Sequence, residues 1–170
     1  MKYHKYQNNN PLLDPVLNEG KIIEFCEKIS RTREIKAKKG LPFLSEMRDV
    51  SKINLDESKL SSEELKLSAQ WSAFLVSNDF KMSSLRRIFE MISEKEIIDV
   101  ERIQYILAYE VARKRQFKEF GAFLEDLLNK IKENPQKRSK KLKIFLEAVI
   151  AYHKLIEEFS KKKQKTYGES

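Results

Sequence analysis

The feature that most constrains this chain is a spacing: from about Val16 onward its apolar residues recur three and four apart, and no period-two alternation persists over a useful length. Spacings of three and four gather side chains on one stripe of an α-helix, whereas a half-buried strand needs every second residue. The broadest stripe runs from about Ser139 to Lys161 and holds Leu142, Phe145, Leu146, Val149, Ile150, His153 and Ile156, a face wide enough for the centre of a bundle. Four Gly and four Pro in 170 residues are too few for a turn-rich β architecture. The expected fold class is all-α, a compact helical bundle of about five to six helices with a flexible N-terminal arm.

Local signals divide the chain. Residues 1–15 are polar, include Asn8, Asn9 and Asn10, and carry Pro11 and Pro15, which interrupt continuous helical hydrogen bonding; they read as the flexible arm. A first helix is predicted from about Val16 to Ala37, with Ile22, Ile23, Cys26 and Ile29 inward and Gly40-Leu41-Pro42 ending it. Phe43, Leu44, Met47 and Val50 fit helical spacing, while Ser51 to Lys59 reads as a polar connector, so residues 16–60 form an N-terminal helical extension.

Residues 61–160 form the expected core. Ser61-Ser62-Glu63-Glu64 is a capping-box pattern that should open a helix ending at Asn78-Asp79. Ser83 or Ser84 should cap a short helix with Leu85, Ile88, Phe89 and Ile92 on one side. Asp99 should cap the next, which runs to about Arg113 with Ile103, Ile106, Leu107 and Val111 inward. Another amphipathic helix spans Phe117 to Lys132 and stops before Asn134-Pro135. Residues 161–170 are a basic tail.

Charge and chemistry narrow the function. Lys and Arg number 34 against 26 Asp and Glu, a net charge of +8, and the excess is lopsided: residues 1–109 hold 18 basic and 17 acidic side chains, residues 110–170 hold 16 and 9. A polyanionic partner fits such a balance, although lysines also keep a helical surface soluble. The single Cys26, set among apolar neighbours, reads as a buried thiol in a reducing, cytoplasmic protein. No run approaches the roughly 18 apolar residues that a membrane span requires.

Catalysis has no visible home. General acid–base chemistry wants a histidine or carboxylate poised beside a nucleophile. His4 lies in the arm, and His153 sits in the apolar stripe of the last helix, where it reads as a packed residue. Glu94 and Glu96, Glu125-Asp126 and Glu157-Glu158 fall where solvated helix faces would put them. Gly-rich phosphate loops, zinc spacings and nucleophile elbows do not occur, so no metal, cofactor or enzymatic activity is expected.

The basic clusters carry the functional signal. Arg86-Arg87 falls in the first turns of a short helix, where free amides and the helix dipole favour a phosphate. Arg113-Lys114-Arg115 closes another helix, where cations also offset the dipole without any ligand. Lys137, Arg138, Lys140, Lys141 and Lys143 crowd the loop and first turn before the last helix, the unfavourable end for positive charge, which hints at an external anion. Arg102, Tyr105, Tyr109 and Arg113 form one stripe whose guanidinium and aromatic planes suit unpaired bases, unless the tyrosines are core margin.

Three segments in order resemble a known family: Ser83-Ser84-Leu85-Arg86-Arg87-Ile88-Phe89-Glu90-Met91-Ile92, Tyr105-Ile106-Leu107-Ala108-Tyr109-Glu110-Val111-Ala112-Arg113, and Lys143-Ile144-Phe145-Leu146-Glu147-Ala148-Val149-Ile150-Ala151-Tyr152-His153-Lys154. Together they are similar to the small helical subunit of the type III-A (Csm) CRISPR effector complex, over roughly residues 61–157. The resemblance implies a non-catalytic RNA-binding subunit that self-associates head to tail, lies along the backbone and large subunits, and helps hold crRNA and single-stranded target RNA for antiviral interference. On that reading the RNA-binding candidates are Arg86, Arg87, Arg113, Lys114 and Arg115, joined by Arg102, Lys137, Arg138, Lys140 and Lys141. The residues before 61 and the Leu155-Ile156-Glu157-Glu158 continuation depart from the family pattern. A helix-turn-helix DNA-binding regulator, or a helical protein-interaction adaptor without nucleic-acid contact, would also be small, basic and helical.

Overall fold

A computed structural model describes residues 14–31 and 41–167, with the side chains of 41–43 and 162–167 excluded. The described residues form eight α-helices and no strand: α1 (Pro15–Asn18), α2 (Ile22–Arg31), α3 (Leu41–Met47), α4 (Ser62–Ser77), α5 (Met82–Ser93), α6 (Val100–Arg113), α7 (Lys118–Ile131) and α8 (Pro135–Tyr167), with short 3-10 turns at Val50–Lys52 and Arg115–Phe117. The all-α class holds, with a helix count slightly above five to six. Nearly all of the expected arm, the residues after Arg31 in the first helix, His4 and most of the basic tail's side chains lie outside the described residues.

The extra elements come from prolines and one glycine. Pro15 opens α1 instead of blocking it: it occupies the first turn, whose amide needs no helical acceptor, and the Asp14 carboxylate accepts the Val16 amide at 2.8 Å. Gly20 at φ 77° then breaks the expected single helix, because few other residues adopt that backbone without strain. Leu41-Pro42 lies in the first turn of α3. The last helix starts at Pro135, four residues before the expected Ser139, and Asn134 Oδ1 accepts the Lys137 amide at 3.3 Å.

Two helices hold the core together. In α4, Leu67, Ala69, Trp71, Ala73, Phe74 and Leu75 are all buried, so the helix is covered on most sides. It packs along α8, and Ser72 Oγ lies 2.7 Å from both the Ser68 and Val149 carbonyls, linking the pair. Trp71 sits 5.0–5.5 Å from the Phe74, Phe120 and Phe123 rings and donates its indole proton to the Met47 carbonyl at 3.1 Å. Phe25, Cys26 and Ile29 of α2 join the same apolar cluster against α8, and burial pushes the Cys26 thiol up to about 12.

The capping box at α4 forms as expected: Ser61 Oγ accepts the Glu64 amide at 3.1 Å, and Glu64 Oε1 accepts the Ser61 amide at 2.9 Å. Asp99 caps α6 through the Arg102 amide at 3.3 Å. Serine does not cap α5. Lys81 is its N-cap without a side-chain bond, while Ser84 turns inward and accepts from Lys114. Helices α6 and α7 pack closely because Gly121 lacks a Cβ, which would fall 2.9 Å from Val111 Cγ2.

Candidate nucleic-acid interface

Five of the ten candidate cations lie where the start of α5 meets the end of α6, namely Arg86, Arg87, Arg113, Lys114 and Arg115, while Arg102 stands at the other end of α6. The organising group is a carboxylate that is not among the expected site residues. Glu110 falls in the inward stripe of α6 three residues after Leu107 and is 3% exposed. A carboxylate there requires a cation, and two answer: Arg87 Nη2 of α5 lies 2.6 Å from both Glu110 oxygens, and Arg113 Nη1 lies 3.7 Å from Oε1. The Arg113 guanidinium also lies 5.7 Å from the Tyr109 ring centroid. Both arginines keep more than two fifths of their side-chain surface open to solvent, so each is fixed on one edge and free on the other.

The remaining members differ in freedom. Lys114 donates to Ser84 Oγ and has its ammonium 5.7 Å from the centre of the Phe80 ring, an internal arrangement that explains much of its charge. Arg102 pairs with Glu94 at 2.8 Å, and the hydrogen bond from Arg102 holds the Glu94 carboxyl below its ordinary range. Arg86 and Arg115 are exposed, with no ion pair among the described residues.

Tyr105 and Tyr109 settle an open alternative. At 65% and 63% exposed they are surface residues, not core margin. Each stands two residues beyond a buried neighbour, Ile103 or Leu107, and two residues turn about 200° around a helix, which puts the rings opposite the core.

The head of α8 requires correction. Because the helix begins at Pro135, its basic residues lie within the first turns, and internal groups engage most of them. Lys141 is 1% exposed; its ammonium donates to Glu64 Oε1 at 2.8 Å and to the Lys59 carbonyl at 2.7 Å, so it is a buried ion-pair partner and not an RNA contact. Burial would raise the Glu64 carboxyl, but Lys141 and the Ser61 and Asn54 amides outweigh it and hold the group below its ordinary range. Arg138 bonds Asp56 at 2.9 Å, Glu133 at 2.8 Å and the Lys130 carbonyl at 2.7 Å. Lys143 caps the Lys95 and Glu96 carbonyls. The charge that hinted at an external anion is largely answered from within, and only Lys137 and Lys140 remain exposed without ion pairs among the described residues.

The two basic regions sit near opposite ends of α6. Ser139 Oγ accepts the Ile98 amide at 3.0 Å, placing the head of α8 beside the start of α6, whereas Arg113 to Arg115 close its far end. Fourteen residues of helix separate those ends by about 20 Å.

His153 has a packing role. It is fully buried, its Nε2 lies 2.7 Å from the Phe80 carbonyl, and Nδ1 lies 3.6 Å from Glu157 Oε1. Burial pushes its pKa below the ordinary imidazole value, against the opposing influence of Phe80 and Glu157. Among the described residues no group of three His, Cys, Asp or Glu is placed to hold a metal ion, and no helix is long and apolar enough to cross a membrane.

Residues 58–158 match the family model described as Csm2 Type III-A, a span from the loop before α4 into α8 that includes the whole α5–α6 surface. No curated protein and no solved structure matches the chain.

Proposed function

The chain belongs to the Csm2 Type III-A family, small subunits of the type III-A CRISPR complex, and we propose that within this complex it holds RNA without catalysing a reaction. In this reading residues 61–160 are the RNA-holding core and residues 16–60 a helical extension docked on it. The subunit stacks on its own copies along the backbone and large subunits, in the cytoplasm, and helps retain crRNA and single-stranded target RNA. Arg86, Arg87, Arg113 and Arg115 contact phosphates, with Arg102, Lys114, Lys137, Arg138 and Lys140 adding to the field around them. The supporting observation is the pair of arginines fixed on Glu110, half-exposed and flanked by the unpaired Arg86 and Arg115. Fixed donors facing solvent lose little side-chain freedom on meeting a phosphate, and phosphate contacts position RNA without reading its sequence.

The test is target-RNA affinity of the assembled complex at several salt concentrations, comparing wild type with Arg86→Ala/Arg115→Ala, which leaves every internal ion pair intact. Each lost contact to single-stranded nucleic acid should lower the slope of log affinity against log salt by about 0.7, with no change in sequence preference. Normal assembly with unchanged affinity and slope would remove these residues from the interface. The isolated chain should prefer single-stranded RNA to duplex DNA in a salt-dependent way. Preference for one duplex sequence would indicate a DNA-binding regulator, and equal weakness for both an adaptor.

A further inference from the structure

Phosphate contacts leave unexplained why α6 exposes two tyrosines. Soluble proteins bury or cover most aromatic surface, yet Tyr105 and Tyr109 are two of the four large hydrophobic residues most exposed among those described. They stand one turn apart, about 6 Å along the axis, near enough for one RNA strand to reach both rings. Their neighbours on the same side, Ala108 and Ala112, are exposed and too small to cover the rings. The stripe ends in arginines, Arg102 and Arg113; of the acids beside it on α6, Glu110 is buried and the exposed Glu101, one turn before Tyr105, is paired with Lys132 at 3.0 Å.

We infer that Tyr105 and Tyr109 form a stacking platform for unpaired bases of single-stranded RNA, with Arg113 and Arg102 flanking it. The inference rests on the RNA-holding reading and extends it from the phosphates to the bases. An apolar protein partner fits the patch less well, because the rings are bracketed by guanidinium groups, their exposed neighbours Ala108 and Ala112 are small, and Ile106 is partly buried against the core. Stacking on an aromatic face is tolerant of sequence, since every base offers a π-face, and so agrees with a surface that positions RNA without reading it.

The test uses the full chain at low salt with two probes of equal length, oligo(A) RNA and a ribose-phosphate oligomer lacking bases. Tyr105→Ala/Tyr109→Ala should weaken oligo(A) binding by about tenfold per ring. It should leave the salt slope and the affinity for the baseless oligomer unchanged. Tyr105→Phe/Tyr109→Phe should bind as wild type, because the ring and not the hydroxyl does the stacking. The substitutions lie on an exposed face, and unchanged helical circular dichroism and melting temperature verify that the fold is intact. The inference is overturned if the alanine pair binds oligo(A) like wild type, or if it loses both probes equally. It is also overturned if sedimentation shows that the tyrosines instead hold a second copy of the chain. Should Arg86→Ala/Arg115→Ala flatten the salt slope while the tyrosine variants behave as wild type, stacking falls and the phosphate reading stands. No salt-dependent RNA binding by the wild-type chain overturns both.

Discussion

Replacing Lys141 by methionine keeps most of the side-chain volume but leaves the Glu64 carboxylate, 2% exposed, with two backbone amides and no cation. The ammonium bonds both Glu64 at 2.8 Å and the Lys59 carbonyl at 2.7 Å, tying α8 to the start of α4 and to the loop before it. Removing one member of such a buried pair costs about 3–5 kcal/mol, mostly from stranding the other charge. For a chain of this size that corresponds to a fall in melting temperature of about 10 °C or more. Glu64→Gln/Lys141→Met should be less damaged than Lys141→Met alone, because the uncharged amide still accepts one of the two backbone protons and no charge is stranded. Acid supplies an independent reading. The folded-state pKa of Glu64 is depressed, so its contribution is present above the ordinary value of 4.5 and is lost as pH falls through the folded value. Wild-type and Lys141→Met stabilities should therefore converge in acid. Urea denaturation across pH measures all of this. A loss below about 1 kcal/mol at neutral pH, or a double variant as unstable as the two single losses added together, would refute the argument.

Two further outcomes follow from the packing. His153 is neutral and buried with a depressed pKa, so the unfolded chain takes up its proton first, and stability should decline as pH drops below 6.5; His153→Gln should flatten that decline while leaving RNA-guided cleavage by an assembled complex intact. Gly121→Ala gains about 1 kcal/mol of helix propensity but places a methyl 2.9 Å from Val111 Cγ2, so a net loss of about 1 kcal/mol is expected from its urea midpoint, and a gain would show that α6 and α7 can separate freely.

What could be read from the sequence was local. The Ser61 and Asp99 caps, the stripes of α5 to α7 and the buried Cys26 each depend on residues a few positions apart, and all stand as expected. Proline was only half legible: the stop before Asn134-Pro135 is where α7 ends, but Pro15, Pro42 and Pro135 each also lie in the first turn of a helix, where a missing amide proton costs nothing. The ion pairs were not legible. Glu64 meets Lys141 across 77 residues and Arg87 meets Glu110 across 23, distances over which helical spacing carries no information. A signal did exist at Glu110, an acid in register with Ile103 and Leu107, and at Tyr105 and Tyr109, two residues out of phase with the core.

The bonds between α8 and the middle of the chain also set the order in which the molecule can be completed. Ser72 reaches Val149 across 77 residues, and Phe80 reaches His153 across 73. During synthesis α4 and α5 therefore leave the ribosome with their shared packing surface uncovered, and it stays so until α8 follows. Helices form within a microsecond or so, but the loop that joins these two regions must close before the core exists. A chain interrupted before residue 135 would lack the helix on which α2, α4 and α5 pack, and short helices without that packing are marginal in water, so the fold is completed by the arrival of one helix.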